Sequence, residues 1–379
     1  MMSKALTWSR TRTRSTDNYF PSFVEELEYS FGREVNEQMK VDDSWNALDC
    51  YTVSRRLVMG LVAKLLIGDD CRDPANIDLF CDYTAEMIVG GPYIRGFPEF
   101  LRPIIARSSR VVELSNRMQN LILDLINRRK TKSEKMEKEG KQPEDLTDWF
   151  WRWSQSTNNE LNELDIAQLL AANTFGASFN TTVVLVQCIC ELAIRPEYVN
   201  LIRQEVVSIL KSNNNTWTKE GIDSMKKLDS FIKESHRYNC FDLAGTPRVV
   251  KKDFHFKNGL RIPKGTVLLT PNAALLFDQK HVRHPFEFDG LRFYDLAQSS
   301  ENSEMFKYTS TNPHYLQFGD GRHVCPGRFF AADELRLILA YLLFHFEIKL
   351  QRNLPEGFKI RRDNLPDLGV NILLKKIER

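Results

Sequence analysis

Apolar residues recur at steps of three and four over most of the first third of the chain, from Phe20 to about Ile126. The stretches "SFVEELEYSFGREV" and "RRLVMGLVAKLLIG" are examples, and this period is typical of amphipathic helices. The same period returns from Glu163 to about Ile194, where Pro196 ends the pattern. The pattern therefore predicts a chain built mainly from α-helices.

In the second half of the chain, the helical period gives way to alternation of apolar and polar residues. The stretch "TPRVVKKDFHFKNGLRIPKGTVLLTPN" alternates and contains Asn258-Gly259 and Lys264-Gly265 turn pairs, which predicts short strands. The tail, "FKIRRDNLPDLGVNILLKKIER", predicts further strands around a turn at 366–369, whereas "HPFEFDGLRF" predicts a loop. The expected fold class is mainly α with small β-sheets.

No internal repeat and no convincing linker divide the sequence, so we expect a single domain over residues 1–379. Residues 1–19 form a basic N-terminal segment without a clear pattern. Residues 127–147 are rich in charge and contain Gly140 and Pro143, which predicts an exposed charged loop.

One long run without charge, Leu169–Cys190, raises the question of a membrane span. Asn173, Asn180 and Gln187 recur in it every seven residues, and a lipid-facing helix rarely carries such a polar stripe. A helix through a large core explains the run better. Because the basic N-terminus also lacks an apolar segment, we expect no signal peptide and no transmembrane anchor in this chain.

Charge and cysteine content exclude some classes of partner and site. Lys and Arg number 52 against 50 Asp and Glu, a net charge of +2 that does not indicate nucleic acid as a partner. The seven cysteines are scattered without a Cys-x-x-Cys pair, so a disulfide framework or a zinc site is not expected. A reducing compartment fits this usage.

One cysteine has a distinctive setting, in "QFGDGRHVCPGRFFAADELRLILAYLLF". Gly319 and Gly321 allow a sharp turn before Cys325, and Pro326 suits the first position of the helix that follows. Free backbone N–H groups at a helix start favour the thiolate, with a pKa as low as roughly 3.5–7.5 in such settings. Such a sulfur is a nucleophile or a metal ligand, whereas a structural cysteine would not need the glycines. His323 is only weak evidence for a partner base, and a haem iron needs a single protein thiolate.

The stretch "FGDGRHVCPG" resembles the haem-binding signature of the cytochrome P-450 family, with matches at Phe318, Gly321, Cys325 and Gly327. The resemblance extends from about residue 20 to the end. Within the family, the sequence is similar to fungal members from secondary metabolism. It implies a P-450 fold and a haem b whose iron takes Cys325 as its axial thiolate. Members of this type begin with a membrane anchor and a sheet, so we expect this chain to be shortened at its N-terminus.

Two further motifs support the resemblance. "ESHR" and "FDGLRF" supply Glu234, Arg237 and Arg292, which match a buried structural triad of the family that affects haem retention indirectly. "GASFNTT" matches the helix above the haem: Ala177 leaves room beside the flat cofactor, and Thr181 takes the oxygen-activating position. Asn180 departs from the pattern, because an acid is usual there and an amide cannot release a proton.

The remaining site residues are also implied by the resemblance. His323 and Arg248 hold basic positions that would bind the haem propionates, and Trp8 and Arg12 weakly resemble another such pair. The candidates for apolar walls of the substrate pocket are Phe175, Phe241, Leu243 and Ala244.

The resemblance implies a haem-thiolate monooxygenase that inserts one oxygen atom from O₂ into a terpenoid, polyketide or alkaloid intermediate. NADPH would supply electrons through a reductase docking on the Cys325 face, where Arg322 and Arg328 offer positive charge. We expect a monomer on the cytosolic side, peripheral to the endoplasmic reticulum. Two alternatives are a haem-thiolate isomerase, dehydratase or peroxygenase, because of Asn180, and a catalytically silent haem-binding remnant.

Overall fold

The structure is a computed structural model that describes residues 19–40, 44–143, 145–156, 161–351, 358–360 and 363–378. Contacts between Cα atoms divide the chain into two compact units. The helical unit comprises the described residues of Asp17–Asp42 and Tyr51–Thr182, and the cysteine unit those of Asp43–Cys50 and Val183–Arg379. The single domain over 1–379 stays a prediction, and the predicted N-terminal segment 1–19 lies, apart from Tyr19, outside the described residues.

The helical unit is built from helices joined by short turns. Its elements are α1 (Phe20–Glu34), a 3₁₀ turn (Asn36–Gln38), α2 (Cys50–Ile67), a 3₁₀ turn (Gly68–Arg72), α3 (Pro74–Arg95), α4 (Arg102–Arg107), α5 (Arg110–Lys138), α6 (Leu146–Ser156) and the first part of α7 (Glu163–Ile194). Val111, Leu114, Met118, Ile122 and Leu125 form the buried stripe of α5 at the steps of three and four that the sequence predicts.

The exposed charged loop that we predicted over residues 127–147 is confirmed only for 139–142, which are exposed and outside the helices. Helix α5 continues to Lys138, and Asp145 and Thr147 are buried. The reason is an ion-pair cluster, in which the Arg129 guanidinium donates to the carboxylates of Asp145 and Asp70. Burial raises the pKa of Asp145 to about 6, and Arg129 opposes that rise. Charge in this stretch therefore serves a buried network as well as a solvated surface.

The cysteine unit combines helices with four small sheets. Its elements are β1 (Asn46–Asp49), the rest of α7, α8 (Pro196–Ser212), α9 (Lys219–Ser224), α10 (Lys226–Tyr238), β2 (Gly245–Val249), β3 (Phe254–His255), β4 (Arg261–Ile262), β5 (Val267–Thr270), α11 (Asn272–Leu276), α12 (Arg292–Gln298), two 3₁₀ turns (Ser303–Phe306 and Gly321–His323), α13 (Arg328–His345), β6 (Phe346–Leu350), β7 (Phe358–Ile360), β8 (Asp363–Leu365) and β9 (Asn371–Lys376).

All described strand pairs are antiparallel. One sheet has the order β1-β9-β6, with Leu48 and Ile348 on the outer strands paired to Ile372 and Leu374 of β9. The pairs β2-β5, β3-β4 and β7-β8 form the other sheets. Gly259 and Gly265 have positive φ angles of 88° and 89° at the predicted turns, a conformation that glycine adopts without strain. The predicted fold class, mainly α with small sheets, is confirmed.

Helix α7 spans Glu163–Ile194, as the sequence predicts. It begins at a reciprocal cap, because the Asp165 N–H donates to Asn162 Oδ1 at 2.9 Å and the Asn162 N–H to Asp165 Oδ2 at 3.0 Å. Within the described part of the chain it is the one helix long and apolar enough to cross a membrane, and 72% of its most apolar window is buried inside the protein. This burial agrees with the predicted helix through a large core.

Candidate functional site

The turn that carries Cys325 is held by backbone hydrogen bonds. The Cys325 N–H donates to Phe318 O at 2.7 Å, and the Gly319 N–H donates to Leu316 O at 2.8 Å. Gly319 and Gly321 have φ angles of +71° and +66°, so the sharp turn needs both glycines, as we predicted. The residues Phe318–Gly327, called the cysteine loop below, therefore form a closed turn directly before α13.

Cys325 is half-buried, whereas the other six cysteines of the chain are buried. Burial raises the pKa of the Cys325 thiol, although the N–H groups of Gly327 and Arg328 and the Arg328 guanidinium lower it. Our prediction of a lowered pKa is therefore wrong for the polypeptide by itself, because desolvation outweighs the helix start. The two N–H groups nevertheless lie where they can donate to a sulfur ligand.

Arg328 braces the cysteine loop from α13. Its Nε donates to Thr309 O at 3.0 Å and its Nη1 to Cys325 O at 3.0 Å, while its guanidinium carbon lies 4.3 Å from the centre of the Phe329 ring. The side chain is half-buried, unlike the exposed Arg322 and His323. Arg328 thus supports the loop, a role that the sequence did not indicate.

Glu234, Arg237 and Arg292 come together in the cysteine unit. Arg237 donates to both carboxylate oxygens of Glu234 at 2.8 Å, and Arg292 Nε donates to Glu234 Oε2 at 3.1 Å. Glu234 is 0% and Arg237 1% exposed, so this is not a surface ion pair.

The same three residues hold the connection between α11 and α12. Arg237 Nη1 donates to Leu276 O at 3.0 Å and to Pro285 O at 2.8 Å. Glu234 accepts the Asp289 N–H at 3.0 Å, and Arg292, which begins α12, donates to Glu287 O at 2.9 Å. The predicted loop "HPFEFDGLRF" is therefore fixed by charged hydrogen bonds, and its last two residues belong to a helix.

In α7 each of a run of hydroxyl side chains bonds to its own helix. Thr181 Oγ1 donates to Ala177 O at 2.8 Å, and Thr174, Ser178 and Thr182 make the same contact four residues back at 2.7–3.0 Å. Thr181 is buried, whereas the amide of Asn180 is exposed. Thr181 therefore uses its proton within the helix.

The predicted residues for the propionates and the pocket are partly exposed. Arg248 is exposed on β2 and donates to Pro247 O at 2.9 Å. Leu243 packs against the buried cluster of Cys240, Leu276 and Tyr315, so it serves a core in part.

The other predicted pocket and propionate residues fall in different parts of the chain. Phe241 and Ala244 are half-buried in the cysteine unit. Phe175 stacks on Phe179 in the helical unit, with ring centres 6.1 Å apart. The residues Trp8 and Arg12 lie outside the described residues.

A cavity of about 540 Å³ in the cysteine unit is lined by α9, α10, α12 and α13. Its walls carry Arg336 and the carboxylates of Asp223, Asp229 and Asp333, which pair with that arginine. Among the residues that the structure describes, none of the predicted site residues lines it. The cavity is therefore separate from the candidate site.

Comparisons with known proteins agree on one family. The family model described as Cytochrome P450 matches residues 1–366. The chain is 40% identical over 380 residues to the cytochrome P450 monooxygenase atmQ of Aspergillus flavus, an alignment that covers 99% of this chain and 70% of that protein. It is also 40% identical over 381 residues to janQ of Penicillium janthinellum (99% and 74%) and over 380 residues to paxQ of Penicillium paxilli (99% and 72%), both named cytochrome P450 monooxygenases.

Proposed function

The chain belongs to the cytochrome P450 family, and from this premise we propose that it is a haem-thiolate monooxygenase that inserts one oxygen atom from O₂ into an apolar small molecule of fungal secondary metabolism. The observation that carries this proposal is the cysteine loop, which presents one half-buried sulfur on a glycine turn before a helix. Three fungal relatives with the monooxygenase name support the reaction class.

The residues at the cysteine loop fit a haem. A single cysteine thiolate is an axial ligand that protein-bound haem iron takes, and N–H groups near such a sulfur tune it. Among the described residues, a Cβ added to Gly321 or Gly327 would meet no atom within 4 Å beyond its chain neighbours. The polypeptide therefore leaves open space on both sides of Cys325, where a flat group can approach the backbone.

When bound, the haem supplies the iron at which O₂ is activated. The chain's own residues hold that group and manage protons. Cys325 would be the ligand, the cysteine loop fixes its backbone, and Glu234, Arg237 and Arg292 hold the connection between α11 and α12. We assign proton handling to the Thr181 hydroxyl and to water, because the Asn180 amide cannot release a proton.

His323 and Arg248 are the residues we propose for the haem propionates. Both side chains are exposed, which supports this assignment, and Arg248 has N–H groups beyond the one that donates to Pro247 O. An arginine that pairs with a carboxylate gains a charge-assisted hydrogen bond, and a histidine does so as a donor.

The substrate class is proposed as an apolar terpenoid, polyketide or alkaloid intermediate. The side chains assigned to the pocket, Phe175, Phe241, Leu243, Ala244 and Ala177, are apolar, which favours such a molecule over a charged one.

Electrons would come from NADPH through a cytochrome P450 reductase that binds the face of the cysteine loop. Arg322 is exposed there and Arg328 is half-buried, so the positive charge of Arg322 is the more accessible to an acidic partner. Arg322 is therefore the better candidate for the docking contact. We propose that the chain acts as a monomer.

For location, we propose contact with the cytosolic face of the endoplasmic reticulum. Val89, Tyr93, Phe100 and Ile104 of the helical unit are 61–76% exposed, which is unusual for large apolar side chains so close in sequence. Exposed arginines beside them (Arg95 and Arg107) complement anionic lipid headgroups. Binding to vesicles with and without phosphatidylserine tests this location.

A second reaction class, isomerase, dehydratase or peroxygenase, is favoured by Asn180 alone. Oxygen uptake coupled to NADPH and a reductase separates the two classes. Product formed without NADPH and reductase would support the second class and contradict the monooxygenase assignment.

The test of the site itself is the carbon monoxide difference spectrum of the reduced protein. The wild-type chain should give the red-shifted Soret band of thiolate ligation. Cys325→Ser should abolish that band, and Cys240→Ser, which alters another cysteine of the same unit, should keep it. An unchanged band in Cys325→Ser would overturn the haem assignment. A wild-type chain that shows no band when freshly prepared with haem would favour a silent remnant.

A further inference from the structure

Helix α10 carries a second row of functional side chains beside Glu234 and Arg237. Asp229, Lys233 and His236 are spaced by four and three residues, which places them on one face of the helix. We call them the second face. Lys233 is 1% and His236 7% exposed, and Asp229 is half-buried. Its hydrogen bonds include several to residues 305–310, which lie between α12 and the cysteine loop.

Two residues of the second face hold the backbone of residues 305–310. Asp229 Oδ2 accepts the Tyr308 N–H at 2.8 Å. The Lys233 side chain donates to three oxygens at 2.9–3.3 Å, namely Met305 O, Lys307 O and Ser310 Oγ. These contacts join α10 to residues more than seventy positions later in the chain.

The contacts of Lys233 fit its ammonium form, although burial opposes a charge there. Burial lowers the pKa of Lys233 to about 7, and the Asp229 carboxylate opposes that shift. Three acceptor oxygens need three N–H donors, which only the ammonium form has. The rings of Phe293 and Tyr315 also lie 4.6 and 4.8 Å from the nitrogen, and ring faces favour a cation.

The third residue of the face, His236, bonds to the side chain of Tyr308. Tyr308 Oη lies 3.1 Å from His236 Nδ1, and Tyr308 is 1% exposed. Burial lowers the pKa of His236 to about 3 and raises the pKa of Tyr308 well above its usual value, so both groups are neutral. The bond therefore joins two uncharged groups that share one hydrogen between Tyr308 Oη and His236 Nδ1.

This pair touches the start of the cysteine loop. The Tyr308 and Phe318 rings meet edge to face with centres 5.0 Å apart, and the His236 ring lies 6.0 Å from Phe318 in the same manner. The side-chain amide of Gln317 donates to His236 O at 2.8 Å. Phe318 O in turn accepts the N–H of Cys325.

The carbonyl of Cys325 is linked to the same residues through Arg328. That guanidinium donates to Cys325 O and to Thr309 O, and Thr309 follows Tyr308 directly. The N–H of Cys325 is therefore bonded to Phe318, whose ring contacts His236 and Tyr308. The carbonyl of Cys325 is bonded to Arg328, which also bonds to Thr309, the residue after Tyr308.

We propose that His236 and Tyr308 are positioning residues for Cys325, which hold the cysteine loop so that the N–H groups behind the sulfur stay in place. The proposal deepens the proposed function and rests on it only for the identity of the group that the sulfur binds. Loss of the Tyr308 hydroxyl removes its bond to His236 Nδ1, while the ring contacts with Phe318 remain.

The first measurement uses the full chain without haem and a soluble thiol reagent. Six of the seven cysteines are buried, so the fast-reacting thiol is Cys325. Tyr308→Phe should speed its modification about fivefold, since one lost hydrogen bond shifts a local opening equilibrium by roughly that factor. Tyr315→Phe is the matched control, because Tyr315 is 4% exposed and its hydroxyl has no hydrogen-bond partner among the described residues. It should react at the wild-type rate.

The second measurement uses the haem-loaded chain and the carbon monoxide difference spectrum. Tyr308→Phe and His236→Leu should each lower the fraction in the thiolate-type band, and the double variant should lower it no further than either one. His236→Gln offers an amide oxygen to the Tyr308 O–H and should keep most of the band. The spectrum of Tyr315→Phe should match that of the wild type.

Three results would overturn the proposal: equal behaviour of the two Tyr→Phe variants, additive losses in the double variant, or a lower melting temperature for Tyr308→Phe with unchanged thiol reactivity below the transition. A wild-type chain without any thiolate-type band would contradict the proposed function instead. The thiol reaction of the haem-free chain then still decides whether the pair positions Cys325.

Discussion

The two faces of α10 hold different loops by different chemistry. The face of Glu234 and Arg237 fixes the connection between α11 and α12 through a buried ion pair and a second arginine. The second face fixes residues 305–310 through an ammonium held by three oxygens and a neutral tyrosine–histidine bond. One helix therefore anchors two loops, one through a carboxylate paired with guanidinium groups and one through a mixed set of weaker bonds.

The difference shows what makes an anchor visible in a sequence. An acid and a base three residues apart are recognisable because the two partners lie on the same helix. The partners of the second face are backbone carbonyls, a hydroxyl and a tyrosine in a stretch without any period. Anchors of this kind can be recognised only in the folded chain. Substitutions can test whether they contribute as much to the free energy of unfolding as the ion-pair face does.

The largest expected effect is on the ion-pair face. Arg237→Leu leaves the Glu234 carboxylate, at 0% exposure, with the Arg292 guanidinium and the Asp289 N–H, which should cost about 3–5 kcal/mol of unfolding free energy. Urea denaturation followed by circular dichroism measures it. The control is Arg261→Leu, which breaks an exposed pair with Asp253 and should cost less than about 1 kcal/mol. Equal costs would contradict the comparison.

Next in size is the lysine of the second face. Lys233→Met keeps the length of the side chain but removes the donors to three oxygens, and the loss should be about 2–3 kcal/mol in the same assay. Lys307→Met serves as the control, since that lysine pairs with Glu304 on the surface and should contribute little. A loss of stability as small as that of the control would show that the three hydrogen bonds of Lys233 do not anchor residues 305–310.

A smaller effect is the change of unfolding free energy with acid pH. It distinguishes the two faces of α10, because only the second face contains a histidine. The unfolded chain binds a proton at His236 below about pH 6.5, whereas burial lowers the folded pKa to about 3. The contribution of neutral His236 to stability is therefore fully present above about pH 6.5, and between pH 6.5 and 5 it falls by up to about 1.4 kcal/mol per pH unit. His236→Leu should show a shallower decline between pH 6.5 and 5. Identical slopes for wild type and variant would mean that His236 is not buried in its neutral form.

The smallest expected effect is at Tyr315, whose buried hydroxyl has no described partner. Tyr315→Phe removes that hydroxyl without breaking a bond, so stability should change by less than about 1 kcal/mol, in either direction. Thermal unfolding is sufficient to measure it. A large loss would indicate a bond to the Tyr315 hydroxyl and would remove this variant as a control for Tyr308.

Much of the fold could be predicted from local patterns. The bounds of α7 and the turns at Gly259 and Gly265 follow from periodicity and from residues with fixed backbone preferences. The charged stretch 127–147 could not, because a run of charge looks solvated until Arg129 meets Asp70 and Asp145. The strand β6, directly after α13, also gave no separate signal.

At the candidate site the motif residues and the geometry agree where the contacts are local. The glycine turn and the pairing of Glu234 with Arg237 follow from spacing, whereas Arg292 is indicated by the family resemblance. The pKa of Cys325 could not be predicted, since desolvation depends on everything packed around the sulfur. Arg328 looked like a surface charge in the sequence, and its bonds to Thr309 and Cys325 depend on tertiary structure.

The hydroxyl groups of α7 that bond to carbonyls four residues back bear on how Thr181 can donate a proton. With its hydrogen directed at the Ala177 carbonyl, the Thr181 oxygen shows its lone pairs outward and can only accept. To give that proton to another acceptor, the hydroxyl must first break its bond to the Ala177 carbonyl and rotate about the Cβ–Oγ bond. Rotation and donation would then be two separate steps, and a valine at this position would abolish both while keeping the branched shape.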